Sequence, residues 1–304
     1  MELKVIHETI YRYQSPVVLS QQLLHLKPRQ FAWQSLRRFQ LEISPQATDL
    51  TQGTDYFGNP VASFVIASPH PQLLVRSESE VRVEPRTDAF AGAASGAWDA
   101  LRDSLRSLKA PPLLEAAQFL FESPHIEFLR ELSAYAAPTF TPGRGLLECL
   151  RELAHRIHAD FRFDPTATSV ATPLQDVLAK RRGVCQDFAH LMVGCLRTLG
   201  LPARYVSGYI LTRPPPGRPR LIGADASHAW VSAYCPPLGW VDVDPTNDCL
   251  VNDEHVTLAW GRDFSDVPPL RGVILGGDDQ KLDVRVTVLP LDERGEAGAG
   301  PSAP

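Results

Sequence analysis

The sequence predicts an α+β fold: antiparallel strands first, then helices packed on a second antiparallel sheet. Three observations carry this. Residues 1 to about 86 alternate apolar and polar with period two, broken by Pro and Gly clusters. From about residue 101 to residue 160 the apolar spacing becomes helical. Residues 176 to 245 combine both patterns, with helices followed by strands, around the stretch RRGVCQDFAHL.

In the first region Leu3, Val5, His7, Thr9, Tyr11 and Tyr13 form one alternating set. A second runs from Leu36 through Phe39, Leu41 and Ile43, and VRSESEVRVE (Val75 to Glu84) is a third. Between strands, TDYFGNP (Thr54 to Pro60) reads as a tight turn. The small-residue stretch from Arg86 to Ala100 reads as a linker, which closes an N-terminal β-rich domain at residues 1–100. Helical intervals follow at Leu113, Ala116, Ala117 and Leu120, then at Leu146, Leu150, Leu153 and Ile157. Breaks fall at Pro111-Pro112, Pro124, and Pro138 to Gly145. KLDVRVTVLPL (Lys281 to Leu291) alternates cleanly and is expected as a last strand of a second domain, residues 101–291. The polar, small-residue segment 292–304 is expected to be a disordered tail.

Composition narrows the function. With 304 residues, 44% hydrophobic and 21% charged, the chain has a composition ordinary for a soluble globular protein. A net charge of -5 and a pI near 6.0 leave no basic footprint for nucleic acid. Charged residues interrupt the N-terminal apolar residues, so no signal peptide is expected, and no apolar run is long enough to span a membrane. The cytoplasm is the expected location. The five cysteines are odd in number and widely spaced, without a CxxC, which indicates neither a disulfide framework nor a zinc knuckle. No metal or organic cofactor is expected.

The chemistry concentrates at Cys185. After it, Phe188, Ala189, Met192, Cys195, Leu196 and Leu199 fall at helical intervals until Gly200-Leu-Pro202 stops the helix. Cys185 therefore sits at a helix N-terminus, where unpaired N–H groups and the dipole favour a thiolate and can hold an oxyanion. Cys195, mid-helix on the apolar side, is expected to pack. A base is available in His228, on the strand pattern SHAWVSAY, which shares a face with Trp230, Ser232 and Tyr234. Pro236 to Gly239 is a turn signal, and the following GWVDVDPTN places Trp240, Asp242 and Asp244 on one face. A hairpin centred near residue 236 puts His228 and Asp244 in facing or diagonal positions. A carboxylate there would fix the imidazole tautomer. Asp242 competes if the register slips.

These blocks resemble the bacterial transglutaminase-like proteins: GVCQDFAHLMVGCLRTLGLPARYVSGYI, SHAWVSAY, GWVDVDPTND and GRDFSDVPPLRGVILGG, with YRYQSPVVLSQQLLHLKPR and DYFGNP resembling the family's N-terminal β region. The resemblance implies a papain-like transglutaminase core and a catalytic set of Cys185, His228 and Asp244, the last preferred over Asp242. It implies a thioester mechanism on a peptide, isopeptide or glutamine-type amide of a protein or peptide substrate, without cofactor. Animal cross-linking transglutaminases have a Gln-Cys-Trp arrangement; here Val184 and Gln186 flank the cysteine. That departure weighs toward hydrolysis, with cross-linking and a non-catalytic binding module as alternatives.

Other residues have plainer expectations. His190 reads as a structural hydrogen-bonding histidine, and Gln186 and Asp187 as helix caps. His155 and His158, without a second ligand pair, read as surface residues rather than half a metal site. Trp230 and Trp240 read as core or cleft wall, Tyr205 and Tyr209 as strand packing. TRPPPGRPR (Thr212 to Arg220) reads as a stiff loop.

Overall fold

The computed structural model describes residues 1–90, 92–107, 111–213 and 227–291. The expected disordered tail and most of the TRPPPGRPR loop lie outside the described residues. Strand β1 (Glu2–Leu24) organises the first half. The chain returns along one of its edges as β4 (Pro60–Ile66) and β5 (His70–Val83). It returns along the other edge, much later, as β13 (Leu270–Gly276) and β14 (Gln280–Pro290). β2 (Gln34–Ser44) pairs with β5 and β3 (Asp49–Thr54) with β4. All these pairings are antiparallel, as the period-two pattern implies. The final strand thus belongs to the first sheet, although its place in the chain suggested the second domain: Val286 and Val288 are buried opposite His7 and Val5.

The linker stretch is structured too. It forms α1 (Thr87–Phe90) and enters α2 (Trp98–Leu105), and Arg86, Phe90 and Trp98 are buried. Then come α3 (Pro111–Ala117), α4 (Arg130–Ala136), α5 (Leu146–Asp160), β6 (Arg162–Phe163), α6 (Leu174–Lys180), β7 (Arg182–Gly183) and α7 (Cys185–Thr198). Helix α7 is central: Phe188, Leu191, Met192 and Cys195 are all buried, and α4, α5 and α6 pack around it. Gly200, at φ +79°, takes the left-handed conformation that ends it. The second sheet is antiparallel, in the order β11 (Cys249–Leu250), β10 (Trp240–Asp244), β9 (Ser227–Tyr234), β8 (Ala203–Ile210), β12 (His255–Gly261). One face, with Ala229, Val231, Val241 and Val243, joins the core around α7. Among the described residues, no helix is long and apolar enough to cross a membrane.

The first sheet adds Leu3, Val5, Val286 and Val288 to the same core and seals the edge strand β12. Gln34 accepts from the Thr257 N–H at 2.7 Å and donates to the Thr257 carbonyl at 2.8 Å. Asn59 does the same to Trp260, at 2.9 and 2.8 Å. Each side-chain amide stands in for a neighbouring strand, satisfying backbone groups that would otherwise be left open. Asp55 holds Asn59 in place through its backbone N–H and side-chain amide, which explains the DYFGNP block. Arginines stack beside these clamps. Arg204 lies 4.2 Å from the Trp240 ring centroid and 3.8 Å from that of Trp260, and Arg29 lies 3.5 Å from Trp260. His7 links the sheets through Tyr209 Oη at 2.8 Å, and burial lowers its pKa to about 4, so it is neutral.

Candidate active site

Cys185 is the first residue of α7, delivered by the short β7 strand. Asp187, one turn on, accepts from the Val184 N–H at 2.8 Å and from Thr168 Oγ1 at 2.7 Å, pinning the helix start. Burial raises the Asp187 pKa against these bonds. The capping role expected for Asp187 is therefore present. Cys185 is half-buried; its thiol donates to the Ser227 carbonyl at 4.0 Å, one residue before His228, and it favours the charged form of the His228 ring. Burial pushes Cys149 and Cys235 up to about 11, and Cys195 and Cys249 up to about 12.

His228 stands at the start of β9. In the hairpin, Trp240 faces Tyr234 and Val243 faces Val231, which centres it on residue 237, the mean of 240 and 234. His228 and Asp244 are therefore diagonal neighbours, and His228 Nε2 lies 2.7 Å from Asp244 Oδ2. That leaves Nδ1 for the thiol. Asp242 goes elsewhere: it faces Ser232, and its carboxylate accepts from Arg86 Nη1 at 2.6 Å.

Asp244 is fully buried and heavily donated to. Oδ1 accepts the backbone N–H groups of Thr246 and Asn247, at 2.9 and 3.2 Å. Oδ2 accepts Asn247 Nδ2 at 2.7 Å and faces His255 Nε2 at 3.2 Å. Burial alone would raise its pKa, but the bonds from His228 and His255 and their charges hold it far below the usual carboxylate range. For His228 the order of effects is similar. Burial opposes the charge, while Asp244 and Cys185 favour it, and the outcome is a pKa raised to about 10.

Two partners of this group were not foreseen. Asn247 belongs to the DPTND block but reads there as turn polarity, and His255 is an isolated histidine before a strand. The α5 histidines are exposed, as expected, but they brace the same turn: His155 Nδ1 lies 2.7 Å from Asp248 Oδ2 and His158 Nδ1 2.9 Å from the Thr246 carbonyl. His190 is buried, and its Nε2 accepts the Phe264 N–H at 3.1 Å. Trp230 and Tyr209 are core residues, whereas Tyr205 both packs and lines the cleft.

The cleft over Cys185 has a volume near 260 Å³ and is lined by Phe163, Pro165, Val184, Gln186, Tyr205, Ser207, Ser227, His228, Ala229, Phe264 and Pro269. A larger groove of about 800 Å³ lies between α5 and β10–β11, away from the thiol. His228, Asp244 and His255 have metal-ligand atom types within 4.8 Å of one another. Here those atoms face one another across 2.7 and 3.2 Å, so a cation would have to displace N–H donors from the carboxylate.

The chain matches the bacterial transglutaminase-like N-terminal region over residues 3–82 and the transglutaminase-like superfamily over residues 133–245. It is 40% identical over 296 residues to an uncharacterised protein of Mycobacterium tuberculosis, spanning 95% of this chain and 93% of the relative. It is 30% identical over 184 residues to a protein-glutamine gamma-glutamyltransferase of Pseudomonas aeruginosa, a stretch that is 60% of this chain and 23% of that protein. The fold matches a Cytophaga hutchinsonii crystal structure provisionally described as a cysteine protease. There the TM-score is 0.70, with 20% identity and coverage of 96% of this chain and 92% of that one.

Proposed function

Because the chain belongs to the transglutaminase-like superfamily, we propose that it is a cysteine enzyme attacking a peptide, isopeptide or glutamine-type amide, with Cys185, His228 and Asp244 as its catalytic residues. One observation carries this. A half-buried thiol at a helix N-terminus lines the same cleft as an imidazole whose Nε2 meets a buried carboxylate at 2.7 Å.

The Cys185 thiolate, paired with the His228 imidazolium, adds to the amide carbonyl carbon. N–H groups of the first turn of α7 receive the oxyanion. The C–N bond breaks as Nδ1 of His228 protonates the departing amine, leaving a thioester on Cys185. The neutral imidazole then takes a proton from water, whose oxygen displaces the sulfur, giving the carboxylic acid and restoring the thiolate–imidazolium pair. A primary amine in place of water gives transfer. Asp244 keeps Nε2 protonated throughout, so that Nδ1 is the nitrogen that exchanges protons.

Hydrolysis is the main reaction in this proposal, since Gln186 follows the cysteine where the cross-linking enzymes have tryptophan. The glutamyltransferase relative supports the amine-transfer alternative. The proposed setting is the cytoplasm, where five unpaired cysteines stay reduced. The test is release of ammonia from a glutamine peptide, or of amine from an isopeptide, with and without a primary amine. Cys185→Ala is expected to lower either rate by roughly 10⁴- to 10⁶-fold while leaving the circular dichroism and melting curve nearly unchanged. Full activity in that variant would exclude the mechanism.

A further inference from the structure

Granting Cys185 as the nucleophile, we infer that the cleft above it is an aromatic-walled slot selecting amides that carry an apolar side chain beside the scissile bond, with Phe163 and Phe264 as its walls. Phe163 is 53% exposed. An exposed phenyl ring is unremarkable on a loose surface, but backbone pairing places this one at the lip of the cleft. β6 and β7 pair in parallel, with Phe163 against Gly183, two residues before Cys185. The Arg162 N–H donates to the Arg181 carbonyl at 2.9 Å, and the Asp164 N–H to the Gly183 carbonyl at 2.8 Å.

The second wall is fixed to the same helix by a different device. The Phe264 N–H donates to Nε2 of His190, which lies on α7 five residues after the nucleophile. The Phe264 ring meets Tyr205 edge-on, with centroids 6.3 Å apart. Helix α7 therefore presents the sulfur and anchors the backbone of Phe264, while β7, the strand that leads into it, holds the backbone of Phe163. Pro165, Val184 and Pro269 extend the apolar lining. Among the described residues, no Asp, Glu, Lys or Arg lines the cleft. Away from the proposed Cys185–His228 pair, a charged substrate side chain would lose water against phenyl and pyrrolidine rings. A flat or branched apolar one would dehydrate Phe163 and itself gain contact. A cleft of about 260 Å³ admits an extended segment with one such side chain, so the substrate class is an exposed peptide tail or loop with an apolar residue next to the amide.

The test needs no known substrate. The intact protein is alkylated with iodoacetamide and with N-benzyl-iodoacetamide, and the second-order rate at Cys185 is followed by peptide mass spectrometry. The benzyl reagent should react at Cys185 about tenfold faster than iodoacetamide after each rate is divided by that reagent's rate with free glutathione. Phe163→Ala should erase the preference and leave the iodoacetamide rate unchanged, which shows the thiol and fold intact. Phe163→Leu should keep part of it, and Phe264→Ala should lower it as well. Equal normalised rates in the wild type, or a preference that survives both alanine variants, would overturn the slot. If iodoacetamide does not single out Cys185 at all, the failure lies in the nucleophile and not in its walls.

Discussion

Asp244→Asn is expected to lower turnover by about 10⁴-fold with substrate binding little changed. The replacement has the same shape but the wrong hydrogens. Asp244 Oδ2 meets His228 Nε2 at 2.7 Å and His255 Nε2 at 3.2 Å, and both oxygens also take N–H groups from the turn at Thr246 and Asn247. An asparagine that keeps its oxygen toward the turn points its NH₂ at the imidazole. Nε2 must then accept, Nδ1 must carry the proton, and the thiol loses its base. Steady-state kinetics against the Cys185→Ala background measures the loss.

The same substitution should flatten the pH dependence of stability. Asp244 is held far below the usual carboxylate range, so its contribution is present above the ordinary value of about 3.9 and is lost as pH falls toward the folded value. The His228 pKa is raised to about 10, so its contribution is complete below the ordinary value of about 6.5 and is lost as pH rises toward 10. Urea midpoints across pH should show both limbs in the wild type and neither in Asp244→Asn.

Arg86→Ala should have the largest effect on folding outside the cleft, a loss of about 3–5 kcal/mol by urea unfolding. Arg86 is buried, and its guanidinium donates to buried Asp242 at 2.6 Å. Removing one partner leaves a carboxylate out of water with a reduced counter-charge, on which Arg204, stacked between two indoles, still acts. Asp242 sits two residues before Asp244 on β10, so the break also loosens the strand that carries the proposed catalytic carboxylate. Arg86→Ala with Asp242→Asn should recover part of the loss, because the double change removes the stranded charge. Equal effects from the single and the double variant would mean the pair is not coupled.

The cysteine was legible because its signal is local: a glycine, then apolar residues at helical intervals. The histidine–aspartate pairing was legible through hairpin arithmetic, and the one-residue offset in the centre turned facing residues into diagonal ones without separating them. Asp242 pairs with Arg86 instead, a choice the alternation of GWVDVDPTN leaves open. What escaped was long-range. A period-two strand carries no mark of its partner, so Lys281 to Leu291 could not be assigned to β1. Arg86 lies in a stretch of small residues that looks unstructured until Asp242 meets it from 156 positions away. Gln34 and Asn59 look like strand and turn polarity, yet each clamps β12 across some 200 residues. His255 likewise becomes part of the site only when β12 crosses to β8, beside β9.

The most direct measurement is the rate of iodoacetamide alkylation at each cysteine as a function of pH, in the wild type and in His228→Ala. If Cys185 forms an ion pair with His228, it should be labelled rapidly and almost independently of pH well below the ordinary thiol value of about 8.5. Cys149, Cys195, Cys235 and Cys249, held up at about 11 to 12, should stay nearly inert. Removing the imidazole should then return Cys185 to an ordinary thiol profile. A wild-type Cys185 that already follows that ordinary profile, unmoved by the loss of His228, would contradict the pairing on which the proposed chemistry depends.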